Sequence, residues 1–232
     1  MEDYEKDSYI WLGSAIVVIA LVSLFRYFSF DNTVLKYVNM EPFSEPIQET
    51  IENGKVFQHK TAQGDAYITP IAKYKLYGRV YDHHFRPSKL YGAAVEPYDI
   101  SIGFGDFQYK DVYRAVSVKM ASTVSYLQWN RKYFDVIETY FKTENSWQHY
   151  FTNNHLCPAN KNVKKGISKL RKKDVVYIEG YLIKYKHYRK DGRTEEGISS
   201  TSRDDSFGGD NGNGNCEQIY VTRVVSRHGD FR

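Results

Sequence analysis

The stretch Asn153–Tyr185, NNHLCPANKNVKKGISKLRKKDVVYIEGYLIKY, constrains the fold of this chain more than any other. It reads as a tight polar entry, a short amphipathic helix, a basic turn and a long strand interrupted by Gly180. Val163, Ile167 and Leu170 stand at i, i+4 and i+7, which places one apolar stripe on a helix. Pro158 is a candidate for opening that helix, and the cationic residues at its far end suit a helix C-terminus. From Asp174 the sequence alternates. Val175, Tyr177 and Glu179 fall on one face of a strand, and Val176, Ile178 and Gly180 fall on the other. Leu182 continues the second face and Ile183 and Tyr185 the first, so both faces are partly apolar. Such a strand is covered on both sides and is central to its sheet.

The N-terminus has a different character. YIWLGSAIVVIALVSLF (9–25) carries no charge until Arg26, and Tyr9, Trp11 and Tyr27 sit where interfacial aromatics belong. A basic leader region and a small-residue cleavage site, the marks of a removed signal peptide, are both missing. The expected organisation is a polar tail (1–8), a transmembrane helix (9–30), a spacer (31–54) and a soluble domain (55–232). Lys6 on one side, against Arg26 and Lys36 on the other, leans towards a cytoplasmic C-terminal domain.

The soluble region reads as strands. VFQHK and AYITPI form a hairpin around Gly64-Asp65, followed by KYKLYGRVYDHHF, DISIGFGD and AVSVKMASTVSYLQW. Helix is expected between Tyr133 and Phe151, a polar loop over 189–215 and a last strand from Cys216. The 21 tyrosines agree with extensive sheet surface. The expected fold class is mainly β with one or two helices (α+β). Three strands, a helix and two or three further strands follow the order of an OB-like Greek-key β-barrel, with a generic α+β sheet as the alternative.

Several segments in the same order resemble a family of bacterial single-pass, membrane-anchored proteins without assigned activity. They are AYITPIAKYKLYGRVYDHH, FGD (104–106), NNHL (153–156), KKDVVYIEGYLIKY, SSTSRDD (199–205) and GNGNCE (212–217). The resemblance implies tryptophan where Phe104 stands and glycine-aspartate where Lys173-Asp174 stands. It also implies cysteines near Ser101 and Ser125, hence an inter-strand bridge and an oxidising compartment. That points to a periplasmic or extracellular domain on the bacterial inner membrane, against the lean of the charges.

Candidate sites follow from residue chemistry. Asn153, Asn154 and His155 form either a backbone turn device or a ligand-binding group with His155 as base. Arg203 and Asp204, with Asp205, either pin a loop or grip a carboxylate or phosphate. Cys216 is a nucleophile that His155 would activate, or a small buried strand residue. Its strand context and the adjoining Glu217 predict a largely buried, slowly reacting thiol. Cys157 and Cys216 fit no zinc spacing and form one bridge or remain two buried thiols. No metal and no cofactor is expected: His83 and His84 are adjacent on a strand, point to opposite faces, and would need His155 as a further ligand. Seven cations crowd Lys161–Lys173, yet the net charge of +4 is modest, so nucleic acid is not an expected partner. The expected partners are membrane lipid through 9–30 and another envelope protein. The functional expectation is a membrane-anchored extracytoplasmic binding module. Its alternatives are a cell-envelope hydrolase or transferase with a Cys/His site, and a nucleic-acid or anionic-lipid binder acting through helix 161–173.

Overall fold

The computed structural model describes residues 17–18, 34, 37–121, 124–141, 149–199, 201 and 216–232. The expected transmembrane helix, apart from Val17 and Val18, and Arg203, Asp204 and Asp205 lie outside the described residues. Among the described residues no helix is long and apolar enough to cross a membrane.

The chain is mainly β with few helices. Its strands are β1 (Ile47–Thr50), β2 (Phe57–Thr61), β3 (Gly64–Phe85), β4 (Tyr98–Gly103), β5 (Val116–Ala121), β6 (Val124–Trp129), β7 (Phe151–Pro158), β8 (Val175–Arg189), β9 (Thr194–Ile198), β10 (Cys216–Ser226) and β11 (Gly229–Phe231). Helices α1 (Lys110–Ala115) and α2 (Phe134–Tyr140) flank the β5–β6 hairpin, and α3 (Lys161–Lys169) joins β7 to β8.

Pairing defines the architecture. The long β3 pairs antiparallel with β4 through its C-terminal half and with β8 along most of its length. β4 pairs antiparallel with β7, β7 pairs parallel with β10, and β10 pairs antiparallel with β8. The neighbours therefore run β3–β4–β7–β10–β8 and return to β3. β8 lies between β10 and β3 as its two-sided apolar pattern requires. Val176, Ile178 and Leu182 join the main core with Ile100, Ile102, Leu156 and Ile219, whereas Val175 and Tyr177 pack on the other face against Phe43 and Val225. A Cβ on Gly180 would stand 2.1 Å from the Tyr220 carbonyl oxygen, so glycine there lets β10 come close to β8.

The expected stripe of α3 is the observed one: Val163, Ile167 and Leu170 are buried in the main core beside Val224 and Phe231. Asn160, rather than Pro158, opens the helix. Its Oδ1 accepts from the Asn162 and Val163 amides at 2.9 and 3.0 Å. Pro158 instead ends β7. Four other expectations are corrected. Asn153–Pro158 is a buried strand, not a polar entry. Residues 115–129 fold as the β5–β6 hairpin of a separate two-stranded sheet, not as one strand. The 189–215 segment contains β9, which pairs with β8. The β2–β3 turn lies at Ala62-Gln63, ahead of Gly64, because Thr61 pairs with Gly64. Within the expected spacer, Ile47–Thr50 pairs with β3, and Met40 and Phe43 are buried.

Lys173 adopts φ +79°, a left-handed conformation that strains a residue with a Cβ. Its amide donates to the Val80 carbonyl at 2.8 Å and closes the turn into β8, and its ammonium lies 5.5 Å from the Tyr113 ring centre. This is where the family resemblance implies glycine. Relief of strain, about 1–2 kcal/mol, outweighs an exposed cation–π contact of about 0.5–1 kcal/mol. Lys173→Gly is therefore expected to raise the thermal midpoint by about 2 °C. A lowered midpoint in a calorimetric scan would show that the lysine side chain, not the backbone, decides this turn.

Candidate functional site

Strand alternation builds a polar face on the outer side of β4, β7 and β10. Ile100, Leu156 and Ile219 belong to the main core, so the residues beside them point the other way. Register then aligns Asp99 with His155, Ser101 with Asn153, Cys216 with Asn153, and Gln218 with His155. The Nδ1 atom of His155 is hydrogen-bonded to Asp99 Oδ1, and Cys216 is the diagonal neighbour of His155 on the same face. Asn153 Nδ2 lies 3.5 Å from Cys216 Sγ. The inner face takes a different set. Asn154 is fully buried and donates to the carbonyls of Ile100 (3.0 Å) and Thr152 (3.3 Å), and the Thr152 hydroxyl donates to Glu217.

The loop between β3 and β4 closes over this face. The buried Arg86 guanidinium donates through Nη2 to the Tyr91 carbonyl (2.6 Å) and through Nη1 to the Glu96 carbonyl (3.3 Å). Its Nε lies 3.5 Å from Asp99 Oδ2, and its Nη1 lies 4.0 Å from Glu96 Oε2. Tyr185 donates to Glu96 Oε2 at 3.3 Å. Tyr91 leaves the loop for β9: its hydroxyl donates to the Glu196 carbonyl (3.1 Å) and accepts from the Glu196 amide (2.8 Å).

Burial sets the electrostatics. It raises the Glu96 carboxyl to about 7, although His155 and Arg86 both favour the charged form. Burial also opposes charge on His155. The hydrogen bonds to Asp99 and Cys216 and the charges of Asp99 and Glu96 outweigh it, and hold the imidazole up at about 10. At neutral pH His155 is therefore an imidazolium.

The loop, the polar face and the ends of β2, β3, β8 and β9 enclose an open cavity of about 1760 Å³. Tyr91, Glu96, His155, Tyr185, Ser199 and Cys216 are among its walls. Beside it, His187 Nδ1 lies 3.0 Å from Glu195, Glu195 accepts from Arg189 at 3.0 Å, and His187 Nε2 reaches Thr61 at 3.1 Å. These buried partners tie β8 to β9 and to the β2–β3 hairpin.

The structure thus unites Asn153, His155 and Cys216 and separates Asn154 from them. Asn154 faces the interior, where it hydrogen-bonds the backbone. Cys216, expected to be largely buried, is half-buried, because the adjoining Glu217 occupies the inner face and leaves the thiol outside. A Cys157–Cys216 bridge is ruled out by register. Cys157 pairs with Tyr220, four residues along β10 from Cys216. That is roughly 13 Å, against a limit of about 7 Å between bridged Cα atoms. His83 stacks on Tyr98, and His84 lies across from Asp99. Among the described residues no group of three or more His, Cys, Asp or Glu is placed to hold a metal.

Sequence reasoning missed Arg86, Tyr91, Glu96 and Asp99. Asp99 carried a signal, an acid between Tyr98 and Ile100 in a strand with no other charge. The others sit in a loop whose closure depends on distant partners. Comparison with protein-family models, curated proteins and solved structures finds no match to this chain.

The titrations give a pH dependence. Glu96, raised from 4.5 to about 7, contributes stability that is lost as pH rises through 7. His155, raised from 6.5 to about 10, contributes stability present in full below 6.5 and lost as pH rises through 10. Both act in the same direction. The midpoint is expected to fall by roughly 10–20 °C between pH 6 and pH 10, with the upper part of the fall absent in His155→Gln. A midpoint that rises over this range contradicts the charged His155.

Proposed function

We propose that the chain is a single-pass, membrane-anchored protein of the bacterial cell envelope. Its β-rich domain is an OB-like Greek-key barrel outside the cytoplasm, and it binds an extended peptide segment of another envelope protein. Residues 9–30 are the anchor and contact membrane lipid.

The pairing circuit supports the barrel reading: the helix α3 falls between the third and fourth strands of the circuit in chain order, and the third and fifth strands are parallel. In such barrels ligands bind on the second and third strands, between the loop after the first strand and the loop after the fourth. Those elements correspond here to β4 and β7, the Arg86–Pro97 loop and the β9 segment. The single observation that carries the binding reading is the cavity between the Arg86–Pro97 loop and the β9 segment, which His155 lines from β7. Its volume exceeds the 300–1,000 Å³ or so of a small-molecule pocket, which favours an extended ligand. A peptide is favoured by β9, which pairs with β8 alone among the described residues. Its other edge at Glu196 already exchanges hydrogen bonds with the Tyr91 hydroxyl, as a peptide backbone does in strand addition. Glu96 Oε1, buried in the cavity wall and without a hydrogen-bond partner among the described residues, is a further point for a ligand donor.

Two measurements test this reading. A photo-crosslinking amino acid replacing Tyr91 or Ile198 in living cells is expected to capture a discrete envelope protein, while the same group replacing Lys165 on α3 captures none. Capture from Lys165 alone would move the interface to the basic helix and defeat the proposal. Compartment is read from Ser101 and Ser125, whose buried hydroxyl oxygens lie 2.6 Å apart. They tie β4 to the β5–β6 hairpin at a separation near the ~2.05 Å of a disulfide. The double variant Ser101→Cys/Ser125→Cys is expected to be oxidised in intact cells. A pair that is reduced in cells but closes readily in the purified chain would place the domain in the cytoplasm.

A further inference from the structure

The outer face of β7 and β10 holds more than a binding surface needs. Cys216 is half-buried at the cavity wall, diagonally across the β7–β10 register from His155, which lines the same cavity and whose Nδ1 is bound to Asp99. A thiol, an imidazole and a carboxylate in this sequence of contacts follow the logic of nucleophile, proton carrier and positioning group. The Asn153 amide adds a hydrogen-bond donor beside the sulfur, where an oxyanion develops during attack on a carbonyl. The main core takes Ile219, Val221 and Val224 from β10, and Cys216 is not among its members. Nor does the thiol form a disulfide, since the register keeps Cys157 out of reach.

We propose that Cys216, His155 and Asp99 form a thiol-based acyl-transfer site acting on an ester or amide carbonyl of the peptide segment held in the groove. The inference rests on the binding reading for its substrate and goes beyond it in assigning an activity. The reaction requires the Cys216 thiolate, which is the nucleophile, with the His155 imidazolium as its counter-ion. Sγ adds to the carbonyl carbon, and the oxyanion accepts a hydrogen bond from Asn153 Nδ2. Collapse breaks the C–O or C–N bond, and the imidazolium gives its proton to the leaving alcohol or amine. Cys216 is left as a thioester and His155 as neutral imidazole. Water or an amine then adds to the thioester carbonyl while His155 takes its proton. Sγ departs as the thiolate, and the starting ion pair is restored. No redox partner is involved. Asp99 is a positioning residue, holding the tautomer and ring plane of His155. Arg86, with its Nε facing the same carboxylate, holds Asp99 in turn.

The test uses the full chain in detergent micelles, with iodoacetamide and p-nitrophenyl acetate as probes. Cys157 is the internal control, because burial drives its thiol well above its ordinary range. Iodoacetamide is expected to modify Cys216 at neutral pH about 10-fold or more faster than glutathione, and p-nitrophenyl acetate to leave one acetyl group on Cys216 by intact mass. In His155→Gln, with its fold confirmed by circular dichroism, both rates fall about 100-fold. Asp99→Asn shifts the pH profile of alkylation upward in pH. Alkylation of Cys216 no faster than glutathione in the unmodified chain overturns the proposal whatever the variants do. So does an unchanged rate in folded His155→Gln. Cys216→Ser separates the two readings: it is expected to keep the photo-crosslink from Tyr91 and lose the acetyl adduct. A missing crosslink in the unmodified chain would count against the binding reading alone.

Discussion

One buried charge cluster sustains this site. Asp99 is fully buried and faces the Arg86 guanidinium on one oxygen and the His155 imidazolium on the other. Removing an ion from water costs several kcal/mol, and the cost is recovered only when partners and hydrogen bonds are all in place. Arg86 meets part of that condition: it lies 3.5 Å from Asp99 through Nε and gives its other donors to the carbonyls of Tyr91 and Glu96, the two ends of the turn that closes the loop. The same guanidinium therefore neutralises the strand face and folds the loop above it. Loss of any member leaves an uncompensated charge inside, so the loop, the imidazolium and the wall of the cavity stand or fall together.

The parallel pairing of β7 with β10 decides what lies next to that cluster. The chain leaves β7, crosses through α3 and β8, and returns on the far side of β7 with Cys216 opposite Asn153. One residue of slippage would exchange Cys216 for Glu217 on the outer face and send the thiol to the interior. The bond between Thr152 and Glu217 on the inner face opposes that slip. The anchoring of α3 by Asn160 and by the Val163, Ile167 and Leu170 stripe opposes it from the other end. Packing of an ordinary helix thus fixes the position of a sulfur on the opposite side of the sheet. Binding in the groove and chemistry at the thiol are separate proposals, joined by this geometry.

Much of the framework was legible because hydrophobic period reveals covered faces. The α3 stripe and the doubly apolar β8 were readable residue by residue, and they carried the order of strand, helix and strand. The β7 strand was not readable. Its Thr152, Asn153, Asn154 and His155 are polar, and their burial depends on Asp99, Glu217 and Arg86, all far away in sequence. Alternation identifies a strand by its apolar residues, and here the polar ones fill both faces. The β5–β6 hairpin escaped notice because neither Ser122 nor Thr123 is a strong turn former, so 115–129 reads as one uninterrupted strand. Cys216 was misjudged for a related reason. Glu217 is its neighbour in sequence, but a strand places successive side chains on opposite faces, and the acid that was expected to disfavour the thiolate points away from it.

The most direct test of the account is the protonation state of His155. Nitrogen-15 labelling of the histidines in the full chain, with NMR titration in detergent micelles, reads the imidazole independently of stability or activity. The account predicts a His155 ring protonated on both nitrogens at neutral pH, titrating near 10 in the native chain. It also predicts a clearly lower midpoint in Asp99→Asn, where only Cys216 and Glu96 remain to offset burial. A native His155 that titrates at or below 6.5 would contradict the buried ion pair and the site built on it.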